Sequence, residues 1–300
     1  MQQQTPIVVV GAGTMGMTLA RLMATRGMPV TVLDIDGTRL ARCREALAGD
    51  ETLSSRVGFA QDWPSVGAAS VMIESVTEDL ALKRRVLAEA ERHLPTTALI
   101  MTNTSGLSID ALGEDMSHPE RFLGAHFFNP ADLIPAVEVV PGKLTHDATV
   151  ARACQLLRQL GKRPAVLKRC VPGFVANRIQ HALMRECLSL LEQGVVEPQA
   201  LDDIVRYSIG VRLAINGPLR QRDLNGLDTH LNIARYLYAE LEDRHTPSPL
   251  LETHVSEGRL GRKSGRGFFE WPQECAEAQP QQERELLRRL LTLLDEESAS

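Results

Sequence analysis

From residue 6 onward, short and almost unbroken apolar runs alternate with longer segments of helical periodicity. "IVVV" (7–10), "VTVLD" (30–34), "SVMIES" (70–75), "ALIMTNTS" (98–105), "FLGAHFF" (122–128) and "AVEVV" (136–140) predict strands. A run that is apolar at nearly every position, rather than every second one, belongs to a strand buried on both faces. "MGMTLARLMATRG" and "LALKRRVLAEAERHL" predict helices between them, the second stopped by Pro95. Strand and helix in alternation predict a doubly wound α/β domain with a parallel sheet.

The pattern changes near residue 170. "PGFVANRIQHALMRECLSLLEQG" predicts one long helix with its start at Pro172–Gly173 and its stop at Gly194. "PQALDDIVRYSIG", "LDTHLNIARYLYAELEDR" and the tail "QQERELLRRLLTLLDEES" carry helical periodicity, and "AQPQQER" reads as a polar linker. The tail places Leu286, Leu287, Leu290, Leu291 and Leu294 at helical spacing, so it should pack on something. The expected division is therefore an α/β domain over 1–170 and an all-α domain over 171–300.

Composition narrows the function classes without naming one. Hydrophobic content of 43% and charged content of 24% are those of a globular protein. A net charge of −5 argues against nucleic acid or an anionic membrane as the main partner. Cys43, Cys154, Cys170, Cys187 and Cys275 are scattered, with no metal-like spacing, which fits free thiols in a reducing compartment. The start "MQQQTPIVVVGAG" has no basic leader, and no apolar run reaches membrane-spanning length. The expectation is a cytoplasmic protein without a metal.

"VVVGAGTMG" places Gly11, Gly13 and Gly16 in a GxGxxG spacing between a strand and a helix, with Thr14 and Met15 inside it. The first glycine permits the turn, the second lets backbone approach a pyrophosphate, and the third lets helix pack on strand. The helix N-terminus then offers N–H groups to the phosphates. Asp34 closes the next strand, where a carboxylate can accept from ribose hydroxyls and repel a 2′-phosphate. The cofactor expected of this Rossmann-type sheet is NAD, although Arg39 and Arg42 on the following helix soften the case against NADP.

Ligands of such a sheet gather at the carboxyl ends of its strands, where "ESVTEDLALK" (74–83), "NTSGL" (103–107) and "HFFNP" (126–130) should meet. Oxidising an alcohol removes a hydride from carbon and a proton from oxygen, so a base is needed beside the hydroxyl. Histidine suits that task near neutral pH, and a carboxylate on its far nitrogen would fix the tautomer. Taken singly, His126 reads as a hydrogen-bonded core residue and Glu138 as an outward strand residue. Joined to the dinucleotide fingerprint, they read as a base and its partner.

"GAGTMG", "TEDLALK", "NTSGLSI", "HFFNP" with "VEVV", "PGFVANR", "GPL…DLNGLD" and "GRLGRKSGRGFFEW", in this order, resemble the L-3-hydroxyacyl-CoA dehydrogenases. The resemblance, to the 3-hydroxybutyryl-CoA type among them, runs from about residue 7 to about residue 271. It implies an N-terminal NAD domain and a C-terminal helical domain that forms a homodimer. It also implies His126 as catalytic base, Glu138 as its partner, and Ser105 and Asn177 as contacts to the substrate. On the cofactor side it implies Asp34 at the adenosine ribose, with Glu78, Lys83, Asn103, Ser105, Asn129 and Lys263 towards the nicotinamide half. A solvated surface position is an equal reading for Lys83 and Lys263, and a local helix bond is one for Asn177.

Two stretches depart from the family. Its members carry a longer, lysine-bearing helical excursion that meets the phosphates of coenzyme A. Here "ALAGDETLSSRVGFAQDW" (46–63) is shorter, has no lysine, and holds Arg56 among Asp50, Glu51 and Asp62. "GVRLAINGPLRQRDLNGLD" adds Arg212, Arg220 and Arg222, read either as surface charge or as contacts to an anionic substrate. Three functions follow: a 3-hydroxyacyl-CoA dehydrogenase in fatty-acid metabolism, the same chemistry on a free hydroxy acid or carrier-bound acyl group, and an NAD-binding protein without turnover.

Overall fold

The computed structural model describes residues 5–299, apart from the side chains of 274–278 and 297–299. Residues 1–4, read above for a leader, and the Cys275 side chain thus lie outside the described residues. The chain forms two compact units, Met1–Arg178 and Ile179–Ser300.

The first unit is built on an eight-stranded sheet. Its strands are β1 (Ile7–Val10), β2 (Val30–Leu33), β3 (Val57–Ala60), β4 (Val71–Glu74), β5 (Leu99–Thr102), β6 (Phe122–Phe127), β7 (Ala136–Pro141) and β8 (Arg163–Val166). Their order is β3-β2-β1-β4-β5-β6-β7-β8. The first six are mutually parallel, β7 turns back antiparallel to β6, and β8 runs parallel to β7. Helices α1 (Thr14–Thr25), α2 (Gly37–Glu45), α3 (Glu51–Ser54), α4 (Leu80–His93), α5 (Ile109–Leu112) and α6 (Asp147–Gln159) complete the unit. Two apolar clusters form its core. One joins Val9, Leu19, Ile73 and Leu157, and the other joins Val8, Met72, Leu87 and Ile100. Alternate residues of β1 thus feed opposite clusters, as expected of a strand covered on both sides.

Two strands escape the pattern reading. β3 lies in the stretch 46–63, where glycine and polar residues break the apolar run. β8 reads "RPAV" and is mostly exposed; a proline is tolerated there because the strand lies at the sheet edge.

The long helix expected from Pro172 begins later, at α7 (Ala176–Glu192). Gly173 and Phe174 before it have φ of 73° and 51°, outside the right-handed helical region. Phe174 holds that conformation with a fully buried ring. Residues 171–178 consequently belong to the first unit, with the rest of α7 leading into the second.

The second unit continues with α8 (Pro198–Ile204), a π-helical stretch Val205–Gly210, α9 (Val211–Asn216), α10 (Pro218–Asn225), α11 (Leu227–Leu237), α12 (Pro249–Ser256) and α13 (Gln273–Ala299). The expected linker "AQPQQER" is a correction: it lies within α13, with Pro280 inside the helix. Glutamine, glutamate, alanine and arginine around that proline are strong helix formers. Of the tail leucines, Leu286 and Leu290 are exposed while Leu287, Leu291 and Leu294 are half-buried, so the packing expected of the tail is made in part. Glu192 accepts from the Arg244 guanidinium and the Ser248 hydroxyl, and these bonds hold its carboxyl below the usual range. No helix among the described residues is long and apolar enough to cross a membrane. Nor do three or more of their metal-ligating side chains gather.

Candidate active site

His126 and Glu138 stand directly opposite each other in the antiparallel β6–β7 pair. Cross-strand partners have neighbouring side chains, so the register alone brings the two groups together. His126 Nδ1 lies 2.7 Å from Glu138 Oε2, and both side chains are buried. A carboxylate only accepts, so Nδ1 donates and the lone pair is left on Nε2. The imidazole is flanked by the rings of Phe128 at 4.6 Å and Phe174 at 5.8 Å.

Glu138 is held from its other oxygen as well. Its Oε1 accepts from the backbone N–H groups of Val175 at 2.9 Å and Ala176 at 3.0 Å, at the start of α7. A helix N-terminus favours a carboxylate there. Asn177, one residue on, donates from Nδ2 to the Ser105 carbonyl at 2.8 Å. Gly106 makes that approach possible: a Cβ there would lie 3.2 Å from the Gly173 backbone. The "NTSG" and "PGFVAN" stretches thus close on each other beside His126.

Asn103 ties three strand ends together. Its Nδ2 donates to Ser75 Oγ at 3.3 Å, and its Oδ1 accepts from the Phe127 N–H at 2.9 Å. Glu78 accepts from Thr104 Oγ1 at 2.6 Å and from the Ser105 N–H at 2.8 Å. Asn129 is exposed just beyond β6. Behind it, Lys162 Nζ donates to the Ala131 and Ile134 carbonyls of the β6–β7 connection. Burial lowers the Lys162 pKa to about 8, against the opposing pull of Asp132.

Lys83 is not the solvated surface lysine that the sequence equally allowed. Its side chain is buried, and its ammonium is bound to Glu74 at 2.7 Å, Val76 O at 3.2 Å and Glu78 at 3.3 Å. Glu74 and Thr104, both fully buried, are members of this edge that sequence reasoning left without a role. A carboxylate inside the apolar run "SVMIES" was the available signal for Glu74. Lys263 lies in the second unit, exposed on the turn Arg262–Ser264. Arg212, Arg220 and Arg222 are exposed in that unit too; Arg212 donates to the Ser208 carbonyl, and Arg222 meets His230.

The glycine loop has the form a dinucleotide needs. A Cβ on Gly16 would lie 1.8 Å from the Gly11 carbonyl, and one on Gly11 would lie 2.6 Å from the Ser75 carbonyl. Gly13, by contrast, has nothing within 4 Å of where its Cβ would be, so that face is open. Gly13 precedes α1, and no side chain caps that helix, leaving its first turn, with Thr14, Met15 and Gly16, for an anion. Asp34 accepts from the Ala12 N–H at 2.8 Å and the Asp36 N–H at 2.9 Å. Arg39 is occupied by Asp34 and Asp36, which limits its use for a 2′-phosphate. Burial and the nearby Asp34 push the Cys43 thiol up behind this loop.

Known proteins give this geometry a family. Residues 6–170 match the model of the 3-hydroxyacyl-CoA dehydrogenase NAD binding domain, and residues 173–271 match that of its C-terminal domain. A 5-formyl-3-hydroxy-2-methylpyridine 4-carboxylate 5-dehydrogenase of Mesorhizobium japonicum is 34% identical, over 95% of this chain and 97% of the relative. The crystal structure of a 5-formyl-3-hydroxy-2-methylpyridine 4-carboxylic acid 5-dehydrogenase, an NAD+-dependent dismutase, matches with a TM-score of 0.91. It is 31% identical, with 98% of this chain and 99% of the other covered. A 3-hydroxyacyl-CoA dehydrogenase from Archaeoglobus fulgidus is 32% identical with a TM-score of 0.72, over 97% and 99% of the two chains.

Proposed function

The chain belongs to the 3-hydroxyacyl-CoA dehydrogenase family and binds NAD, and on that premise we propose hydride transfer between NAD and a substrate carbinol carbon, with His126 as the base. The observation that carries this reading is the buried His126–Glu138 pair at the same carboxyl edge of the sheet as the glycine loop. Nε2 of His126 takes the hydroxyl proton, and Glu138 stabilises the imidazolium that forms. Phe128 and Phe174 keep water from the reacting carbon. Ser105 meets the substrate oxygen; Asn177 gives one amide hydrogen to the Ser105 carbonyl and turns the other to the developing oxo group. Bound NAD would accept the hydride; Gly11, Gly13, Thr14, Met15, Gly16 and Asp34 would hold its adenosine and phosphate half. Glu78, Asn103 and Asn129 would face the other half, with Lys83 acting behind Glu78.

For the substrate, the family supports an L-3-hydroxyacyl thioester oxidised to its 3-oxo form. One observation favours a second reading, a free hydroxy or oxo carboxylate without coenzyme A. The stretch 46–63 ends in a four-residue α3 and β3, and its one cation, Arg56, donates to the Ala24 carbonyl at 3.0 Å. Asp50 caps α3, so nothing basic is left there to meet nucleotide phosphates. The Mesorhizobium relative, named for a pyridine carboxylate, fits this reading.

The test is NADH consumption with acetoacetyl-CoA, a 3-oxoacyl pantetheine, free 3-oxo acids and an aromatic formyl carboxylate. Turnover confined to the thioesters supports the first reading, and turnover confined to free carboxylates the second. Turnover of none of them counts against both. The exposed apolar face of α9 to α11 supports a homodimer formed through the helical unit. The free, largely buried thiols fit the cytoplasm.

A further inference from the structure

Glu74 is the last residue of β4, at the centre of the sheet, paired in register with Val10 and Thr102. It is fully buried, where a carboxylate is costly to leave without partners. Its Oε1 accepts from Lys83 Nζ at 2.7 Å and the Val76 N–H at 2.7 Å, and its Oε2 accepts from Thr102 Oγ1 at 2.5 Å. Lys83 sits near the start of α4, and its ammonium reaches Glu78 Oε2 at 3.3 Å. Glu78 uses its other oxygen on Thr104 Oγ1 and the Ser105 N–H. The chain of contacts therefore runs from the sheet core through a buried ammonium to the loop that carries Ser105.

We infer that Glu74 is a positioning residue: through Lys83 it fixes Glu78, and Glu78 fixes both the Thr104–Ser105 loop and the nicotinamide half of the cofactor site. The inference rests on the placement of Glu78 in the proposed function. Glu78 is partly exposed at a loop end, so its own packing does not hold it. Lys83 has no rotameric freedom once buried between Glu74 and Val76 O, and it offers Glu78 one fixed donor. With Glu74 neutral, the ammonium would have only Glu78 as counter-charge and would draw it away from Thr104 and Ser105.

The test compares Glu74→Gln, Glu78→Gln, both together, and Glu74→Gln with Lys83→Met, which removes both buried charges. NADH affinity is read by fluorescence titration and ADP-ribose affinity by calorimetry; hydrogen exchange follows residues 103–107. Glu74→Gln should weaken NADH roughly tenfold, as for one lost charge-assisted bond, with ADP-ribose changed less than about twofold. Exchange at 103–107 should quicken. Adding Glu74→Gln to Glu78→Gln should cost nothing further, because both act through one group. The charge-compensated variant should melt near the wild type yet keep the NADH loss.

Losses that multiply in the double variant, or NADH affinity that returns with stability in the compensated one, would make Glu74 a merely structural residue. An unchanged NADH affinity in Glu78→Gln would overturn the placement of Glu78 and this inference together. Loss of NADH affinity in Glu78→Gln but not in Glu74→Gln would overturn this inference alone. The base assigned to His126 is judged separately, by turnover.

Discussion

The strand-end edge of the first unit and the helices of the second use charge and apolar surface in opposite ways. At the edge, His126, Glu138, Glu74 and Lys83 are buried, and each has a partner within hydrogen-bond reach. In α9, α10 and α11 no residue is buried, and Leu219 is 80% and Tyr236 66% exposed. A patch of apolar surface on that scale marks an interaction site. The edge is finished by its own chain, whereas the helices carry the exposed apolar face proposed for the dimer.

The widest gap between the two regions should come from His126→Ala. Turnover should fall by about 10²–10⁴, the share of a general base, while NADH binding and the melting temperature change little. Activity within a factor of a few of wild type would remove His126 from the base's role.

Next in size is a change to the helical face. Leu231→Glu on α11 should convert a dimer in light scattering to a monomer, since a charge would lie in a desolvated interface. A wild type that scatters as a monomer at micromolar concentration would end the dimer reading.

The glycine loop offers a finer contrast. Gly16→Ala should destabilise by on the order of 1–3 kcal/mol, because its Cβ would meet the Gly11 carbonyl. Gly13→Ala should leave stability within about 0.5 kcal/mol, because its Cβ meets nothing. NADH affinity should nevertheless fall, since that open face is the one proposed for the pyrophosphate. Equal melting temperatures for the two variants would contradict this account.

The smallest effect concerns Lys162, behind the β6–β7 connection. Burial sets its pKa at about 8 in the folded protein, below its ordinary 10.5. Between those pH values the unfolded chain binds more protons than the folded one, so stability rises with pH across that window. Relative to Lys162→Met, the wild type should gain on the order of 1–3 kcal/mol from pH 7 to pH 10.5 in denaturant titrations. A constant difference would show that the ammonium is not desolvated.

Much of this protein was written locally. The strands β1, β2, β4, β5, β6 and β7, the glycine loop and Asp34 follow from apolar periodicity and from the steric needs of a dinucleotide turn. The fold class and the cofactor were therefore legible, as was the family through its motifs. β3 and β8 were not, because short or mostly exposed edge strands need no apolar run. The start of α7 was misplaced because Pro-Gly permits both a helix start and the left-handed turn that Gly173 and Phe174 adopt.

The candidate site was legible as residue types, not as contacts. Sequence named His126 and Glu138, but only the antiparallel register of β6 and β7 made them neighbours at 2.7 Å. Lys83 shows the limit most clearly: a lysine in the first turn of a helix reads equally as solvated or as a cofactor contact. Its burial depends on Glu74, whose carboxylate the sheet carries beneath α4. Local sequence determined which elements form, because periodicity and turn sterics act within a few residues. Tertiary structure alone decided which charges are paired, because desolvation depends on everything that packs around them.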